Sequence, residues 1–485
     1  MWKDLPSEAN GYPTDVPYVR TFFRSLAPAW LDHVAIVSGF SPPARGAGFA
    51  FCELGCGQGV TAAILAATHL DGHFHGIDVM PSHIEHARRF STEGTIANIN
   101  FHTADFATAA GMNLPGFDYI VAHGVYSWVN VESKAALRAF IDRYLKPGGL
   151  VYLSYNAIPG RANDLPFQRL MRALGNSFPG DSMSRFTAAA TIVDRLADLK
   201  PPALAASSFL HRLRKNKKRL SEPYLVHELM SENWEALCVT QVRAEMATLG
   251  LAPVGSATLI ENFDSLVLGR DARKALAAIS DNDVRELARD FLISQSFRCD
   301  VFVRAGRRLN EDERYQRLQA TTFALARPRR AIRYTMATPA GRLRYGNAAA
   351  RGIVSVLSAG PASLAEITAR STLPGQDLLA NVLVLCAADA VWPVESRRVS
   401  VSAVNEAILR RLGGSEELLY LALPCGTAVA IDDALLVLLR GGRRTGACKL
   451  GDWQDFLASH NLSLFGARSR RATKRTTQQP RRRGA

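Results

Sequence analysis

Apolar positions first recur along the chain at helical spacing. Phe22, Phe23, Leu26, Trp30, Leu31, Val34 and Val37 predict a helix over residues 16–40. From residue 50 to 156 the pattern changes: short apolar runs, "AFCELG", "FHGIDV", "INFHTA", "FDYIVAHG" and "GGLVYLSYN", alternate with helical stretches starting near Val60, over 82–90 and over 132–145. Strand and helix alternating at this spacing predict a parallel α/β sheet, whose ligands bind at the carboxyl ends of the strands. Residues 160–230 read as polar and helical, with breaks at Pro179, Gly180, Pro201 and Pro202, and are expected to form an insertion. "AEMATLGLAPVGSATL" and "QSFRCDVFVR" each read as a helix or turn feeding a strand, so two antiparallel strands are expected to finish the sheet near residue 305. Residues 307–335 are Arg-rich and expected to connect. From 340 to 466 helices alternate with Gly/Pro breaks and the strand-like "AVWPVES", which predicts a small, mainly helical unit of winged-helix type.

A chain of 485 residues is about three times a typical domain, so several domains are expected. A hydrophobic share of 47%, a charged share of 21% and a mean hydropathy of −0.02 exclude wholesale disorder and a membrane bundle. The net charge of +14 is unevenly placed. Residues 1–160 hold 10 Lys/Arg against 13 Asp/Glu, while eight positive charges lie in the acid-free tail 467–485 and six more in "HRLRKNKKR" at 211–219. Such segments bind anionic partners non-specifically or serve as solvated surface. The seven cysteines are scattered without a CxxC pair, which fits a reducing, cytoplasmic setting. "MWKDLPSEANGYPTD" lacks the pattern of a secretion signal. "LLYLALPCGTAVAIDDALLVLLR" is interrupted by Pro424, Gly426, Asp432 and Asp433, so no membrane span is expected.

The sharpest local signal is "FCELGCGQGV": an apolar strand, Glu53, then Gly55, Gly57 and Gly59 ahead of a helix. Glycines let the backbone turn and approach a ligand, and the next helix offers free N–H groups. The second strand ends in Asp78, placed to accept from both hydroxyls of a ribose. Dinucleotides and S-adenosyl-L-methionine both use such a loop and acid. The loop here reads GxGxG with Val at position 60, so the dinucleotide pattern GxGxxG fails.

With "HTADF" after the third strand, "FDYIVAHGVYSWV" for the fourth and "LKPGGLVYLSYN" for the fifth, residues 48–156 resemble the class I S-adenosyl-L-methionine-dependent methyltransferases. The resemblance implies that Gly55, Gly57 and Gly59 pass under the methionine part of the cofactor, with Glu53 behind the loop. It further implies that Asp78 binds the ribose, Asp105 accepts from the adenine amino group, Phe106 contacts the ring, and His123 and Gly124 line the pocket. "HGVYSWV", "LSYNAIPG", "YLVHELMSEN" and "RDFLISQSFRCDVFVR" are similar to bacterial methyltransferases bearing a methyltransferase regulatory domain. That group includes the rickettsial-type protein lysine methyltransferases, which act on outer-membrane proteins. The expected organisation is a Rossmann-like core with an N-terminal lid at 1–160, a helical insertion at 161–220, a regulatory domain completing the sheet at 221–306, a winged-helix-like unit at 336–466 and a basic tail at 467–485.

Methyl transfer from a sulfonium needs alignment and exclusion of water more than acid–base groups. Tyr126, Trp128, Tyr155 and Asn156 follow strands four and five and can line an aromatic channel for a lysine amine; Trp128 and Tyr155 can equally well pack the sheet edge or a helix. The Asn/Asp-Pro-Pro-aromatic motif of base-amino methyltransferases is absent, since this chain has "HGVYS" there. The histidines at 69, 73, 75, 83 and 86 lack paired carboxylates, and "HELM" at 227–230 lacks the second histidine of HExxH, so no metal is expected and His227 and Glu228 are expected to bond each other. Tyr12 and Tyr18 can fold over the cofactor as a lid. A protein amine is the favoured acceptor. A small-molecule acceptor, with the C-terminal unit pairing two copies as a homodimer, and a cofactor-sensing regulator acting on nucleic acid are the alternatives.

Overall fold

The computed structural model describes residues 8–9, 11–45, 48–215, 220–371, 373–440 and 450–462. Part of the basic run, 216–219, and the whole basic tail lie outside the described residues. Seven apolar runs form one sheet. Strands β1 (Phe49–Leu54), β2 (Gly72–Asp78), β3 (Ile99–Thr103), β4 (Phe117–Ala122) and β5 (Leu145–Asn156) are parallel, and β6 (Leu251–Ser256) and β7 (Phe297–Arg304) complete the order β3-β2-β1-β4-β5-β7-β6. As expected, the last two strands come from beyond the insertion, and β7 is antiparallel to both its neighbours. β1 is apolar at every position but Glu53 because helices cover the sheet on both faces, and all six of its residues are buried. Helices α1 (Pro28–Val37), α2 (Val60–Thr68) and α3 (Pro81–Glu93) pack on one face; α4 (Phe106–Gly111) and α5 (Val131–Tyr144) pack on the other. After β3 the chain returns to the far side of β1 to form β4. That reversal opens a crevice at the carboxyl ends of β1 and β4.

The N-terminal helix is shorter than its apolar spacing predicts. α1 covers only Pro28–Val37, with a single 3₁₀ turn at Arg24–Leu26, and residues 17–23 form a strap without regular structure. Pro17 cannot donate to a helix, and Pro28 with its fixed φ starts one at its first position. The apolar strap residues Phe22 and Phe23 instead pack on the core as parts of an extended chain.

The insertion holds helices Leu165–Asn176, Ser182–Asp198 and Ser208–Lys215. With helix Glu222–Met230 they bury Phe167, Phe186, Leu225 and Leu229 in a separate core that also takes Val16 of the N-terminal segment. Residues 307–335, expected to connect, are structured. Helix Glu311–Ala320 starts with a reciprocal Asn310/Glu313 capping box, and strand Thr322–Leu325 forms the centre of a three-stranded antiparallel sheet between Ala362–Ser363 and Val391–Val394. The C-terminal unit therefore starts well before residue 336. It is mainly helical, with helices such as Ala348–Leu357, Gly375–Ala387 and α6 (Ser402–Arg411) around the small sheet. No described helix is long and apolar enough to cross a membrane.

This unit covers the α1–α2–α3 face of the core and shares one continuous hydrophobic cluster with it. Charged groups pin the seam. Arg45 pairs with Asp32 at 2.6 Å and with Glu395, which also takes His69 Nε2 at 3.2 Å. Burial raises the Glu395 pKa, but His69 and Arg45 outweigh it and hold the carboxyl at about 2.

Candidate active site

The loop after β1 turns through three glycines in the left-handed region, at φ 68° (Gly55), 53° (Gly57) and 71° (Gly59). Each does a different job. A Cβ on Gly55 would meet Val125 Cγ2 at 2.5 Å, and one on Gly59 would meet Ala87 Cβ at 2.5 Å and Phe101 at 2.7 Å. A Cβ on Gly57 would meet nothing within 4 Å. It would project into a cleft that is lined by Gly55 and Gly57 but not by Gly59. Gly59 is thus the left-handed cap of α2 and a close-packing point, away from the cleft wall.

Asp78 stands across the loop from Gly57 on the cleft wall. Its Oδ2 accepts the Gly57 N–H at 2.8 Å, and its Oδ1 accepts the Met80 N–H at 2.9 Å and bonds His83 Nδ1 at 3.1 Å. Burial pushes the carboxyl up, but His83 and those two N–H groups outweigh it and hold Asp78 below the usual carboxylate range. His83 Nε2 in turn accepts the Tyr18 N–H at 3.1 Å, so Nδ1 carries the proton that is donated to Asp78. Gln58 of the loop donates to the Tyr18 carbonyl. These contacts seat the strap over the cleft, with Tyr12 and Tyr18 in its lining, in the lid position proposed for them. His83 is the residue sequence reasoning missed; the available signal was a histidine five positions after the ribose-type acid, on the first turn of the following helix.

The remaining expected residues separate into those on the cleft and those beneath it. Asp105, Phe106, His123, Gly124 and Trp128 line it. Asp105 caps α4 through the Thr108 N–H at 2.7 Å, which holds its carboxyl low, and it stays exposed at the rim. Burial lowers the His123 pKa to about 4, so the ring is neutral; it lies 3.8 Å from the Phe23 ring and bonds the Tyr152 hydroxyl at 2.8 Å. Glu53 is buried behind the loop with Oε2 unpartnered, and burial pushes its pKa up to about 8.

Three expectations need correction. Tyr126 does not line the cleft: it packs in the core of the opposite face, where its hydroxyl donates to Glu245 and accepts from Arg138 at 2.8 Å. Tyr155 likewise turns to that face and donates to Asp300 at 2.6 Å, because alternate residues of β5 point to opposite sides. His227 and Glu228 are both buried but do not bond each other. His227 Nε2 bonds the Val16 carbonyl at 2.9 Å, its ring centroid lying 5.1 Å from those of both Tyr12 and Tyr18, while Glu228 accepts from Trp234 at 3.4 Å. Asn156 ends β5, fully buried. Among the described residues no group of three or more His, Cys, Asp or Glu could hold a metal ion.

The cleft fits a nucleoside with an amino-acid tail. It offers a fixed carboxylate with acceptor capacity left at Asp78, a second at the Asp105 rim beside the Phe106 ring, and open space above Gly57 where any side chain would intrude.

Residues 46–187 match the methyltransferase domain family, and residues 221–304 match the family described as a predicted methyltransferase regulatory domain. An uncharacterized protein of Synechocystis is 30% identical over 449 residues, covering 90% of this chain and 89% of that one. The trans-aconitate 2-methyltransferase of Methylobacterium radiotolerans is 32% identical over 127 residues, 26% of this chain and 44% of its own. The structure of PKMT2 from Rickettsia typhi in complex with AdoHcy shares the fold at a TM-score of 0.68 and 19% identity, over 93% of each chain, C-terminal unit included. With the glycine loop, the two carboxylates and the sheet order in place, the chain belongs to the class I S-adenosyl-L-methionine-dependent methyltransferases that carry a methyltransferase regulatory domain.

Proposed function

We propose that the enzyme methylates an amine of a protein, a lysine side chain. The observation that carries this reading is the aromatic share of the cleft lining, to which Tyr12, Tyr18 and Trp128 all contribute. Aromatic faces hold an apolar lysine stem, and a desolvated setting lowers the pKa of the amine, which must be neutral to attack. Bound, the cofactor supplies an electrophilic methyl group on a sulfonium. In this reading Asp78 holds the ribose hydroxyls, Asp105 accepts from the adenine amino group with Phe106 against the ring, and the Gly55 to Gly57 backbone lies under the methionine part. Trp128 lines the acceptor channel, and the strap, tied down through His83 and Gln58, excludes water. The full-length likeness to PKMT2 supports a protein acceptor, because it extends over the insertion and the C-terminal unit, which the chemistry itself does not need.

The test is transfer of radiolabelled methyl from the cofactor into lysate of the source cell, with Gly57→Arg as control and the products split by protease and nuclease. Base-stable, protein-bound label that vanishes in the control is the expected result. Label confined to small molecules, or cofactor binding without any turnover, overturns the reading.

A further inference from the structure

Between Glu313 and Glu366 the chain holds nine arginines and not one Asp, Glu or Lys. Part of that charge is matched locally: Arg327 pairs with Asp389 at 2.8 Å and Arg330 with Asp452 at 3.4 Å. Arg333, Arg342, Arg344 and Arg351 are exposed, and none of them pairs with a carboxylate among the described residues.

These four gather on and beside one two-stranded ribbon of the C-terminal unit. Strands Thr335–Thr338 and Gly341–Arg344 pair antiparallel, with Thr335 opposite Arg344 and Ala337 opposite Arg342. Residues directly opposite share a face. Met336 and its partner Leu343 are half-buried on the inner face, and Met336 packs against the hydrophobic cluster shared with the core. The outer face therefore carries Arg342 and Arg344, about 7 Å apart along their strand, beside the small side chains of Thr335 and Ala337. Nothing large on that face holds a partner away from the guanidiniums. Arg333 precedes the ribbon by two positions, and Arg351 stands over the Tyr334 ring at 4.6 Å.

The chemistry that fits this surface is a polyanion bound through its charge. Protein interfaces draw most of their affinity from well-buried anchors, and membrane-surface segments insert apolar side chains. Among the described residues from 316 to 418 no large apolar side chain is exposed. A nucleic-acid backbone needs none, because its phosphates accept paired bonds from guanidinium groups and release counterions as they do so. We propose that the ribbon bearing Arg342 and Arg344, with Arg333 and Arg351 at its base, binds the phosphate backbone of a nucleic acid without reading its sequence. The surface lies outside the cofactor cleft, and the inference does not rest on the acceptor reading above.

The test is fluorescence anisotropy of the full chain with labelled duplex DNA and labelled single-stranded RNA of about 20 positions each, from about 50 to 200 mM salt. Wild type is compared with the variant carrying Arg333→Ser, Arg342→Ser and Arg344→Ser. Each phosphate contact contributes about 0.9 to the slope of log K against log salt on duplex and about 0.7 on a single strand. The variant is therefore expected to lose about 2–3 from the slope, and at least about tenfold in affinity at the low-salt end. The tighter of the two probes tells whether DNA or RNA is the source of the phosphates. AdoHcy titration, expected to be unchanged, reports that the variant is folded; Arg342→Ser with Arg344→Ser alone serves if the triple variant is not. An unchanged salt slope in the variant, the result if the tail 467–485 holds the nucleic acid by itself, overturns the proposal. So does a wild type that binds neither probe. Equally tight binding of polyglutamate or of phosphatidylglycerol vesicles, lost in the same variant, also overturns it and makes the partner an acidic protein or an anionic membrane.

Discussion

Gly57→Ala and Gly59→Ala separate the two uses the glycine loop makes of positive φ. Both variants place an L-residue in the left-handed region, at φ 53° and 71°, which costs about 1–2 kcal/mol each. Gly59→Ala adds steric overlap, since its Cβ would sit 2.5 Å from Ala87 Cβ and 2.7 Å from Phe101, and overpacking of this kind costs about 1–3 kcal/mol more. Gly57→Ala adds none. With about 2.1 cal/mol/K of unfolding entropy per residue, a chain of 485 residues loses about 1 °C in Tm per kcal/mol. Gly57→Ala should therefore melt about 1–2 °C below the wild type, and Gly59→Ala about 2–5 °C below it. AdoHcy at a hundred times its Kd contributes about 2.7 kcal/mol, a rise of about 3 °C. That rise should vanish in Gly57→Ala, whose methyl group occupies the cleft, and persist at half or more in Gly59→Ala. The assay is thermal unfolding with and without AdoHcy. A full AdoHcy shift in Gly57→Ala would refute the placement of the cofactor over Gly57, and equal melting of the two variants would refute the packing argument for Gly59.

Glu53 gives a pH signature: burial raises its folded pKa to about 8 from an ordinary 4.5, so its contribution to stability is whole below pH 4.5 and is lost as pH rises toward 8. Glu53→Gln should remove a slope of at most about 1.4 kcal/mol per pH unit in that window, read by denaturant unfolding from pH 5 to 8.5; parallel curves for variant and wild type would contradict it. Arg411 of α6 is buried at the seam with the core, 2.9 Å from Glu93 and 3.0 Å from His86 Nε2. Because the Glu93 side chain keeps 35% exposure, Arg411→Ala should cost about 2–3 kcal/mol, less than a fully buried pair, and expose the seam to limited proteolysis; an unchanged digestion pattern would count against the clamp.

Much of the site was legible because it lies within single strand-to-loop units. The apolar run of β1, the glycines behind it and Asp78 at the end of β2 are local patterns, and parallel strands carry their ligand groups at their carboxyl ends whatever else the chain does. Loop spacing set aside the dinucleotide pattern, and the motifs of the third, fourth and fifth strands together carried the resemblance that implied the cofactor. Two later strands were legible as well, since each follows a helix or turn and falls about where the last strands of such a sheet are expected.

Only the tertiary structure decided which neighbours of those strands reach the cleft. Tyr126 and Trp128 are two positions apart in a turn, where no period assigns a side, and the fold sends the first to the far face and the second to the cleft. His83 could not be read as the link between strap and Asp78, because its partner Tyr18 is 65 residues away in sequence and the strap was mistaken for a helix. Strand Thr322–Leu325 is four residues long amid arginines and gains its place only by pairing with strands that follow it, so no local pattern marked it. That neither carboxamide atom of the buried Asn156 has a partner among the described residues is a property of everything around it. A sequence records which polar groups a chain carries, but whether each finds a partner is settled when the chain closes around it.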